Sequence, residues 1–318
     1  MLRIGSRGSK LALQQSEWVK VQLEERWRDQ GVSLKTIKTT GDMILDVPLA
    51  QVGGKGLFVK EIEEALQRQE IDLAVHSMKD VPTFLPSGLH LVAITKREDP
   101  RDVLISRDGR SLKELRQGAR VGTSSLRRQA QLLNFRPDLQ IVQLRGNLDT
   151  RLRKLTQDHS EGGLDAIILA AAGLKRMGWL GRITEYLPFE MSLPAVGQGA
   201  LGIECRVSDE ATNQSLKFLN HQETLSCVLA ERAFLRRLEG GCQVPIAAHG
   251  RLENGSMRLD GLVSSVDGRR LVRDYVEGPM EEAEELGIRL AERLISRGAE
   301  AILKEIYSKT GNKPAGDQ

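Results

Sequence analysis

Short apolar runs alternate with amphipathic stretches along the first two thirds of the chain. Apolar runs bounded by turn residues predict buried strands, and apolar residues spaced three and four apart predict helices. Strands are predicted at Leu2–Gly5, Val32–Lys38, Leu73–Val75, Leu89–Thr95, Val103–Ser106, Ala119–Gly122, Gln140–Leu144, Ala166–Leu169 and Ala200–Arg206. Helices are predicted at Lys10–Asp29, Leu57–Gln69, Ser111–Leu115, Ser125–Asn134, Leu148–Gln157 and Ala171–Met177. This alternation is typical of βαβ units and of a mainly parallel sheet.

The pattern changes near residue 215, where one strong helix is followed by several hairpin signals. The helix is predicted at Thr224–Leu238. The dipeptides Asn254-Gly255 and Asp267-Gly268 predict tight turns between antiparallel strands, because these residue types tolerate a positive φ. Two further helices are predicted between Met280 and about Tyr307. This part of the chain is therefore expected to form a smaller α+β domain.

The predicted fold class is α/β, with two doubly wound, periplasmic-binding-protein-like lobes and a smaller α+β C-terminal domain. The charged stretch 96–101 and the stretch 188–199 are interpreted as crossovers between the lobes. The first lobe is expected at 1–95 and 200–215, the second at 96–199 and the α+β domain at 216–310. The tail 311–318 is expected to be disordered.

One buried strand ends in a group of polar and charged residues. Within five residues the chain presents His76, Ser77, Lys79 and Asp80. Pro82 then ends regular structure, because proline has no backbone N–H. In open α/β sheets, ligands bind outside the carboxyl ends of the strands, so Asp80 is a candidate for acting on a ligand. The alternative is an ordinary turn in which Lys79 is the surface partner of Asp80. His76 taken alone is more typical of a core histidine than of a ligand.

Three predicted strand-to-helix junctions each combine capping residues with arginine. They are Gly5-Ser6-Arg7-Gly8-Ser9-Lys10, Gly122-Thr123-Ser124-Ser125-Leu126-Arg127-Arg128 and Leu144-Arg145-Gly146-Asn147-Leu148-Asp149-Thr150-Arg151. Free backbone N–H groups at a helix start favour anions, whereas cations there oppose the helix dipole. A threefold repeat of this unfavourable placement indicates that several anionic groups bind at once, since the guanidinium fork matches carboxylate or phosphate. The alternative for any one junction is a solvated arginine.

Composition excludes several classes of function. The 318 residues are 40% hydrophobic and 28% charged, and no apolar run approaches the ~20 residues that a membrane span needs. The five histidines are scattered and no Cys or His pair has metal-ligand spacing, so no metal site is expected. Gly53-Gly54-Lys55-Gly56 lacks P-loop spacing and is interpreted as the hinge of a lid that carries one cation. An odd number of cysteines and the lack of a signal-peptide pattern favour a cytoplasmic location.

Cys242 differs from the other two cysteines. It follows Gly240-Gly241 and precedes Pro245, in a loop that would expose the thiol and let a bulky group approach. The preceding helix places negative potential there, which disfavours a thiolate that acts in every turnover. A single covalent attachment remains open. Cys205 and Cys227 lie in apolar segments and are expected in the core.

Taken in order, these motifs resemble those of the porphobilinogen deaminase (hydroxymethylbilane synthase) family of tetrapyrrole biosynthesis. The resemblance extends over essentially the whole chain to about residue 308. Its motifs are Gly5-Ser6-Arg7 with Ser9, Gly53-Gly54-Lys55-Gly56-Leu57-Phe58, His76-Ser77-Met78-Lys79-Asp80-Val81-Pro82, Gly122-Thr123-Ser124-Ser125-Leu126-Arg127-Arg128, Leu144-Arg145-Gly146-Asn147, Thr150-Arg151-Leu152, Ala172-Gly173-Leu174-Lys175-Arg176, Pro194-Ala195-Val196-Gly197-Gln198-Gly199-Ala200 and Glu239-Gly240-Gly241-Cys242-Gln243-Val244-Pro245. Each motif alone is weak, and the whole set in this order is specific. Ser6, where the family commonly has Thr, is a small departure that touches no charged position.

The resemblance implies a transferase that carries a dipyrromethane cofactor on Cys242 through a thioether. It would add four porphobilinogen units stepwise, each with loss of ammonia, and release hydroxymethylbilane by hydrolysis. Asp80 would stabilise the positively charged azafulvenium left by the loss of ammonia. The residues implied in cofactor binding are Cys242, Lys79, Ser125, Arg127, Arg128 and Arg151. Those implied in substrate binding are Arg7, Ser9, Arg145, Arg176 and Lys55.

Two other functions compete with this interpretation. A non-catalytic, two-lobed carboxylate-binding protein would share the α/β lobes, but it would leave the placement of Cys242 unexplained. A nucleic-acid binder would use the arginine clusters, but the net charge of only +3 and the 4% of aromatic residues argue against it. The expected partner is therefore the small molecule porphobilinogen, bound by a monomer that contacts neither nucleic acid nor membrane.

Overall fold

A computed structural model describes residues 1–43, 57–156, 163–240 and 244–310 of the chain. These residues form two compact units. The first, called the first lobe, contains 1–43, 57–98 and 199–225. The second contains 99–156 and 163–198, called the second lobe, together with 226–240 and 244–310, called the C-terminal domain.

The helices and strands of the described residues follow the order that the sequence pattern predicts, and a few short elements are present in addition. The strands are β1 Leu2–Arg7, β2 Val32–Ile37, β3 Leu73–Ser77, β4 Leu89–Ile94, β5 Asp102–Ser106, β6 Arg120–Gly122, β7 Gln140–Val142, β8 Ala166–Ala170, β9 Glu185–Tyr186, β10 Leu201–Arg206, β11 Ile246–Glu253, β12 Ser256–Ser264 and β13 Leu271–Gly278. The helices are α1 Lys10–Arg26, α2 Thr40–Met43, α3 Lys60–Gln67, α4 Leu126–Phe135, α5 Leu148–Leu155, α6 Ala171–Arg176, α7 Glu210–Leu216, α8 Gln222–Arg237, α9 Ala283–Ser296 and α10 Ala299–Thr310. Short 3₁₀ turns connect some of them, and the turn Met78–Asp80 directly follows β3.

The first lobe is built on a five-stranded sheet in the order β2-β1-β3-β10-β4. β1 is parallel to β2 and β3, whereas β10 runs antiparallel to β3 and β4, so the sheet is mixed. Leu73 and Val75 of β3 belong to the core that α1 covers, and Ala74 packs on the other face with α3. Because β3 is buried on both faces, its sequence is a continuous apolar run.

The second lobe has a five-stranded sheet in the order β7-β6-β8-β5-β9. β5 runs antiparallel to β8 and β9, while β6 is parallel to β7 and β8. The helix predicted at Ser111–Leu115 is wrong, because this segment is a turn. The Glu114 carboxylate accepts the backbone N–H and the hydroxyl of Ser111, and the Leu115 N–H donates to the Ser111 carbonyl, as at a helix start. Gly118, with a φ of +68°, then turns the chain before a helix continues.

The C-terminal domain packs helices against the antiparallel sheet β11-β12-β13. Phe234, Leu259, Leu290 and Leu294 are among its fully buried side chains. The hairpin turn predicted at Asn254-Gly255 is confirmed, with φ of 51° at Asn254 and 80° at Gly255. Both values fit a type I′ turn, which requires positive φ at its two central residues.

The predicted fold class is confirmed, since the chain has two α/β sheets with flanking helices and a separate antiparallel α+β region. The contacts divide the described residues into two units, and the predicted three-domain boundaries stay a prediction. None of the helices in the described part of the chain has the length and hydrophobicity of a membrane span.

Candidate active site

The turn Met78–Asp80 is fixed at the end of β3 by its first residue. The Met78 side chain is buried, and its N–H donates to the Ala200 carbonyl at 3.0 Å. A Cβ at Gly202, on the neighbouring strand β10, would lie 2.4 Å from the Met78 sulfur. Glycine at this position therefore lets Met78 pack closely and holds the next two residues, Lys79 and Asp80, at the strand end.

Asp80 is half-buried at the end of this turn. Among the described residues its carboxylate has no hydrogen-bond or ion-pair partner, and it forms no ion pair with Lys79. The alternative of a surface Lys79–Asp80 pair is therefore wrong. A carboxylate held at a strand end without a counter-charge is suited to meet a positive charge or N–H donors of a ligand.

His76 belongs to a buried ionic cluster behind the same turn. Its Nε2 lies 2.8 Å from the Glu204 carboxylate on β10, and both side chains are at most 3% exposed. Burial and the charge of Glu204 raise the pKa of Glu63 on α3 to about 7, while His76 opposes this rise. One oxygen of Glu63 and one of Glu204 are buried without a partner among the described residues. His76 thus has a partner within the core, as expected for a structural histidine.

The first predicted anion junction joins β1 to α1. Ser9 caps α1, because its hydroxyl oxygen accepts the Ala12 N–H at 3.3 Å. Arg7, the last residue of β1, lies with its guanidinium carbon 4.2 Å from the centre of the Phe58 ring. A guanidinium stacked on an aromatic face can still contact a carboxylate through its edge.

The second junction joins β6 to α4, where Ser125 caps the helix by accepting the Arg128 N–H at 3.4 Å. Arg127 and Arg128 are each only 6% exposed. Both donate to Asp102, the first residue of β5, whose carboxylate is fully buried. Burial alone raises the pKa of Asp102, but the two guanidinium groups outweigh it and hold that pKa well below its ordinary value.

The third junction joins β7 to α5. Asn147 precedes α5 but makes no side-chain capping bond, in contrast to the serines of the other two junctions. Arg151 donates its Nε to the Gly146 carbonyl at 2.8 Å. Gly146 has a φ of +109°, and a Cβ there would lie 2.8 Å from the Thr150 side chain. The loop therefore requires glycine in order to bring Arg145 and Arg151 to the same helix start.

Arg145 has an unusual environment within this third junction. Its Nη1 is buried and has no partner among the described residues. A buried N–H without an acceptor costs ~1–3 kcal/mol, so a ligand acceptor would relieve an existing penalty. Arg176, the last residue of α6, is half-buried in the same lobe.

Two predicted site residues, Lys55 and Cys242, lie outside the described residues, as does the predicted lid hinge. The other cysteines, Cys205 and Cys227, are both buried, as expected. Burial raises the pKa of the Cys205 thiol, which therefore stays protonated. The expectation that no metal binds stays a prediction.

The sequence interpretation missed Asp102, Glu63 and Glu204. Asp102 directly precedes a predicted strand, which is a position where polar residues are ordinarily exposed. Its partners Ser192 and Gln198 are 90 and 96 residues away, and Glu204 is 128 residues from His76. The sequence shows only a charged residue at the edge of an apolar run, and this pattern does not tell which distant side chain the residue contacts.

Two family models match the chain in succession. The model described as "Porphobilinogen deaminase, dipyromethane cofactor binding domain" matches residues 2–214, and "Porphobilinogen deaminase, C-terminal domain" matches residues 225–296. The chain belongs to the porphobilinogen deaminase family. The porphobilinogen deaminase of Pelobacter propionicus is 61% identical over 308 residues, which cover 97% of this chain and 98% of that protein. That of Geobacter metallireducens is also 61% identical over 308 residues, covering 97% and 95%.

Some solved structures that resemble this one are those of ligand-binding proteins. A nutrient binding protein from Burkholderia cenocepacia bound to methionine is 14% identical, with a TM-score of 0.43, and covers 69% of this chain and 90% of that one. A periplasmic binding protein from Salmonella typhimurium with high arginine specificity is 16% identical, with a TM-score of 0.37 and the same coverage. Similarity at this level says nothing about the ligand or the activity of this chain.

The described residues fit a cofactor with several carboxylates, as the family's dipyrromethane has. Asp102 supplies one negative charge for the two buried guanidinium groups of Arg127 and Arg128, so this group of side chains keeps an excess positive charge. Arg145 adds a buried N–H that lacks an acceptor. Both features are unfavourable in the protein alone and favourable beside carboxylates.

Proposed function

We propose that the protein is a hydroxymethylbilane synthase. It condenses four porphobilinogen molecules stepwise onto a dipyrromethane primer, with loss of one ammonia at each addition, and releases hydroxymethylbilane by hydrolysis. Two family models over most of the chain and relatives 61% identical over 97% of it support this activity. The structural observation that carries the proposal is the half-buried Asp80 carboxylate at the end of β3, which has no ion-pair partner among the described residues.

Asp80 is proposed to act on the positive charge that appears on the substrate. When the aminomethyl group of porphobilinogen loses ammonia, the remaining methylene carbon is conjugated with the pyrrole nitrogen and the fragment is cationic. A carboxylate without a counter-charge stabilises this cation by electrostatic attraction and accepts a hydrogen bond from the pyrrole N–H. Met78 and Gly202 hold the turn in place, so that the carboxylate need not reorganise during the reaction.

The basic residues are proposed to bind the acetate and propionate groups of the pyrroles. Arginine is suited to this task because its planar fork donates two parallel hydrogen bonds to one carboxylate. The proposed cofactor contacts are Lys79, Ser125, Arg127, Arg128 and Arg151. The proposed substrate contacts are Arg7, Ser9, Arg145, Arg176 and Lys55.

Cys242 is proposed to hold the dipyrromethane through a thioether. The cofactor supplies a pyrrole carbon nucleophile that remains bound to the protein. The proposal rests on the Gly240-Gly241-Cys242 sequence and on the burial of both other cysteines. A buried thiol cannot take a two-ring substituent without disrupting its core. The cytoplasmic location and the monomeric state stay predictions.

An intact mass measurement of the purified protein tests this function. We expect a mass above that of the sequence by two linked pyrroles, lost in Cys242→Ser and retained in Cys205→Ser and Cys227→Ser. The wild type should also convert porphobilinogen to hydroxymethylbilane. A protein of unmodified mass that binds porphobilinogen without turnover would contradict the proposal and favour a carboxylate-binding protein instead.

A further inference from the structure

The Asp102 carboxylate accepts hydrogen bonds from four different side chains. Arg127 Nη1 donates to it at 2.7 Å, and Arg128 donates through Nη2 at 2.7 Å and Nε at 3.0 Å. The Ser192 hydroxyl donates at 2.9 Å, and the Gln198 amide also donates at 2.9 Å. Asp102 is 0% exposed, so these protein donors replace water completely. Its carboxylate is therefore held in one orientation.

This arrangement fixes the orientation of both guanidinium groups. Arg128 presents Nε and Nη2 to the same Asp102 oxygen, and its Nη1 donates to the Ile168 carbonyl at 3.1 Å. Arg127 Nη1 also donates to the Leu193 carbonyl at 2.6 Å, and its Nη2 lies 3.4 Å from Asp102. A guanidinium has five N–H donors. With three donors used in each group, two remain on each that have no acceptor among the described residues.

Stability alone does not account for this group of charges. Replacing a buried ionic group by apolar residues of similar volume is often neutral or stabilising. Here two guanidinium groups share one carboxylate within the first turn of α4, where the helix dipole also disfavours cations. Asp102 lowers the cost of burying them without cancelling their charge. The remaining positive charge and the four remaining N–H groups suit a second carboxylate, supplied from outside the protein.

We propose that Asp102 is a positioning residue, which orients the Arg127 and Arg128 guanidinium groups so that their remaining N–H donors bind a carboxylate of the dipyrromethane cofactor. This inference rests on the proposed function for the identity of that ligand. Asp102 itself does not touch the cofactor. Its effect is pre-organisation, because donors that are already oriented lose little conformational entropy on binding.

A thermal-shift cycle tests the role of Asp102 separately from its contribution to folding. The melting temperature is measured for protein carrying the cofactor and for Cys242→Ser protein, whose mass shows that it lacks the cofactor. The difference between these two values is the gain that the cofactor provides. Asp102→Asn is then introduced into both proteins. It keeps the size of the side chain but removes the charge that aligns the two arginines.

We expect Asp102→Asn to lose at least half of this gain, and intact mass spectra to show a smaller fraction of protein carrying the cofactor. A purely structural Asp102 would lower both melting temperatures equally and leave the gain unchanged, which would overturn the inference. Absence of added mass in the wild type would overturn the proposed function, and the inference with it. Full cofactor occupancy with an unchanged gain in Asp102→Asn would overturn the inference alone.

Two further variants keep the test decisive. Ser192→Ala removes one neutral donor from Asp102 and should reduce the gain by a smaller amount. If Asp102→Asn does not fold, an unchanged gain in Ser192→Ala overturns the inference. Asp138→Asn is the matched control, because Asp138 also accepts two hydrogen bonds from one arginine, Arg136, in the same lobe. It should lower both melting temperatures and leave the gain intact.

Discussion

The two lobes each bury an ionic cluster, and the clusters differ in the sign of their excess charge. In the first lobe, the carboxylates of Glu63 and Glu204 lie with the single imidazole of His76. In the second lobe, the guanidinium groups of Arg127 and Arg128 share the single carboxylate of Asp102. One cluster therefore has an excess of acidic groups and the other an excess of basic groups.

The excess negative charge of the first cluster and the excess positive charge of the second can be neutralised in different ways. A buried carboxylate takes up a proton when its pKa rises, and the pKa of Glu63 is raised to about 7. A guanidinium keeps its proton under the same conditions, because arginine is effectively always protonated in proteins. The acidic cluster can thus neutralise itself within the core, whereas the basic cluster needs an anion. This difference supports a structural role for the first cluster and the proposed ligand-binding role for the second.

The comparison predicts that the first lobe acts on substrate through Asp80 and not through its buried cluster. Asp80→Asn keeps the side-chain size and removes the charge that would stabilise the substrate cation. We expect turnover of porphobilinogen to fall by at least ~100-fold, since losing a pre-organised electrostatic contact typically costs this much. Steady-state assays measure the rate, and thermal melting should show little change, because Asp80 has no protein partner among the described residues.

Asp72→Asn is the matched control in the same lobe. The Asp72 carboxylate accepts hydrogen bonds from the Arg3 side chain at 2.7 and 3.0 Å and from the Arg3 backbone N–H at 2.8 Å. Loss of the Asp72 charge should lower the melting temperature and leave the turnover rate nearly unchanged. Substantial activity in Asp80→Asn, or an equal loss of activity in Asp72→Asn, would show that the unpaired carboxylate has no special role.

Some features of the candidate site can be predicted from the sequence, and others cannot. Arg127 and Arg128 could be recognised because a helix start is a local feature, with Ser125 as its cap. Asp80 could be singled out as a candidate because it follows an apolar run and precedes Pro82. The chemistry at both sites is therefore visible in short segments of sequence.

The partners of these residues were not predictable. Asp102 lies 25 residues from Arg127 and 96 from Gln198, and these contacts form only when the chain folds. At Ser111–Leu115 the local pattern predicts a helix, yet the folded segment is only a turn. Local pattern thus identifies candidate chemistry, while folding decides which charges are already paired.

Arg145 sharpens the comparison within the second lobe, because its Nη1 is buried without any acceptor among the described residues. Arg145→Met should raise the KM for porphobilinogen by ~10-fold, since a hydrogen bond to a charged group contributes ~1.5–3 kcal/mol. The melting temperature of the variant made in cofactor-free Cys242→Ser protein should stay the same or rise, because an unpaired buried donor is removed. Kinetic assays and thermal melting measure the two effects.

Arg153→Met provides the comparison for Arg145, since Arg153 is an exposed residue of α5. Its KM should stay at the wild-type value. A lower melting temperature with an unchanged KM in Arg145→Met would assign Arg145 to folding and remove it from the proposed ligand contacts.

The smallest expected effect tests whether the acidic cluster neutralises itself. The pKa of Glu63 is raised from 4.5 to about 7 in the folded protein, so its contribution to stability is fully present below pH 4.5 and is lost as the pH rises through 7. Glu63→Gln cannot ionise and does not lose this contribution. Its melting temperature relative to the wild type should therefore rise by about 2–4 °C between pH 5 and pH 8.5 and then remain level. Glu64→Gln, at a more exposed position paired with Arg68, should show no such trend. A difference that stays flat across this pH range would mean that Glu63 remains ionised in the core, and the contrast between a self-neutralising and a permanently charged cluster would fail.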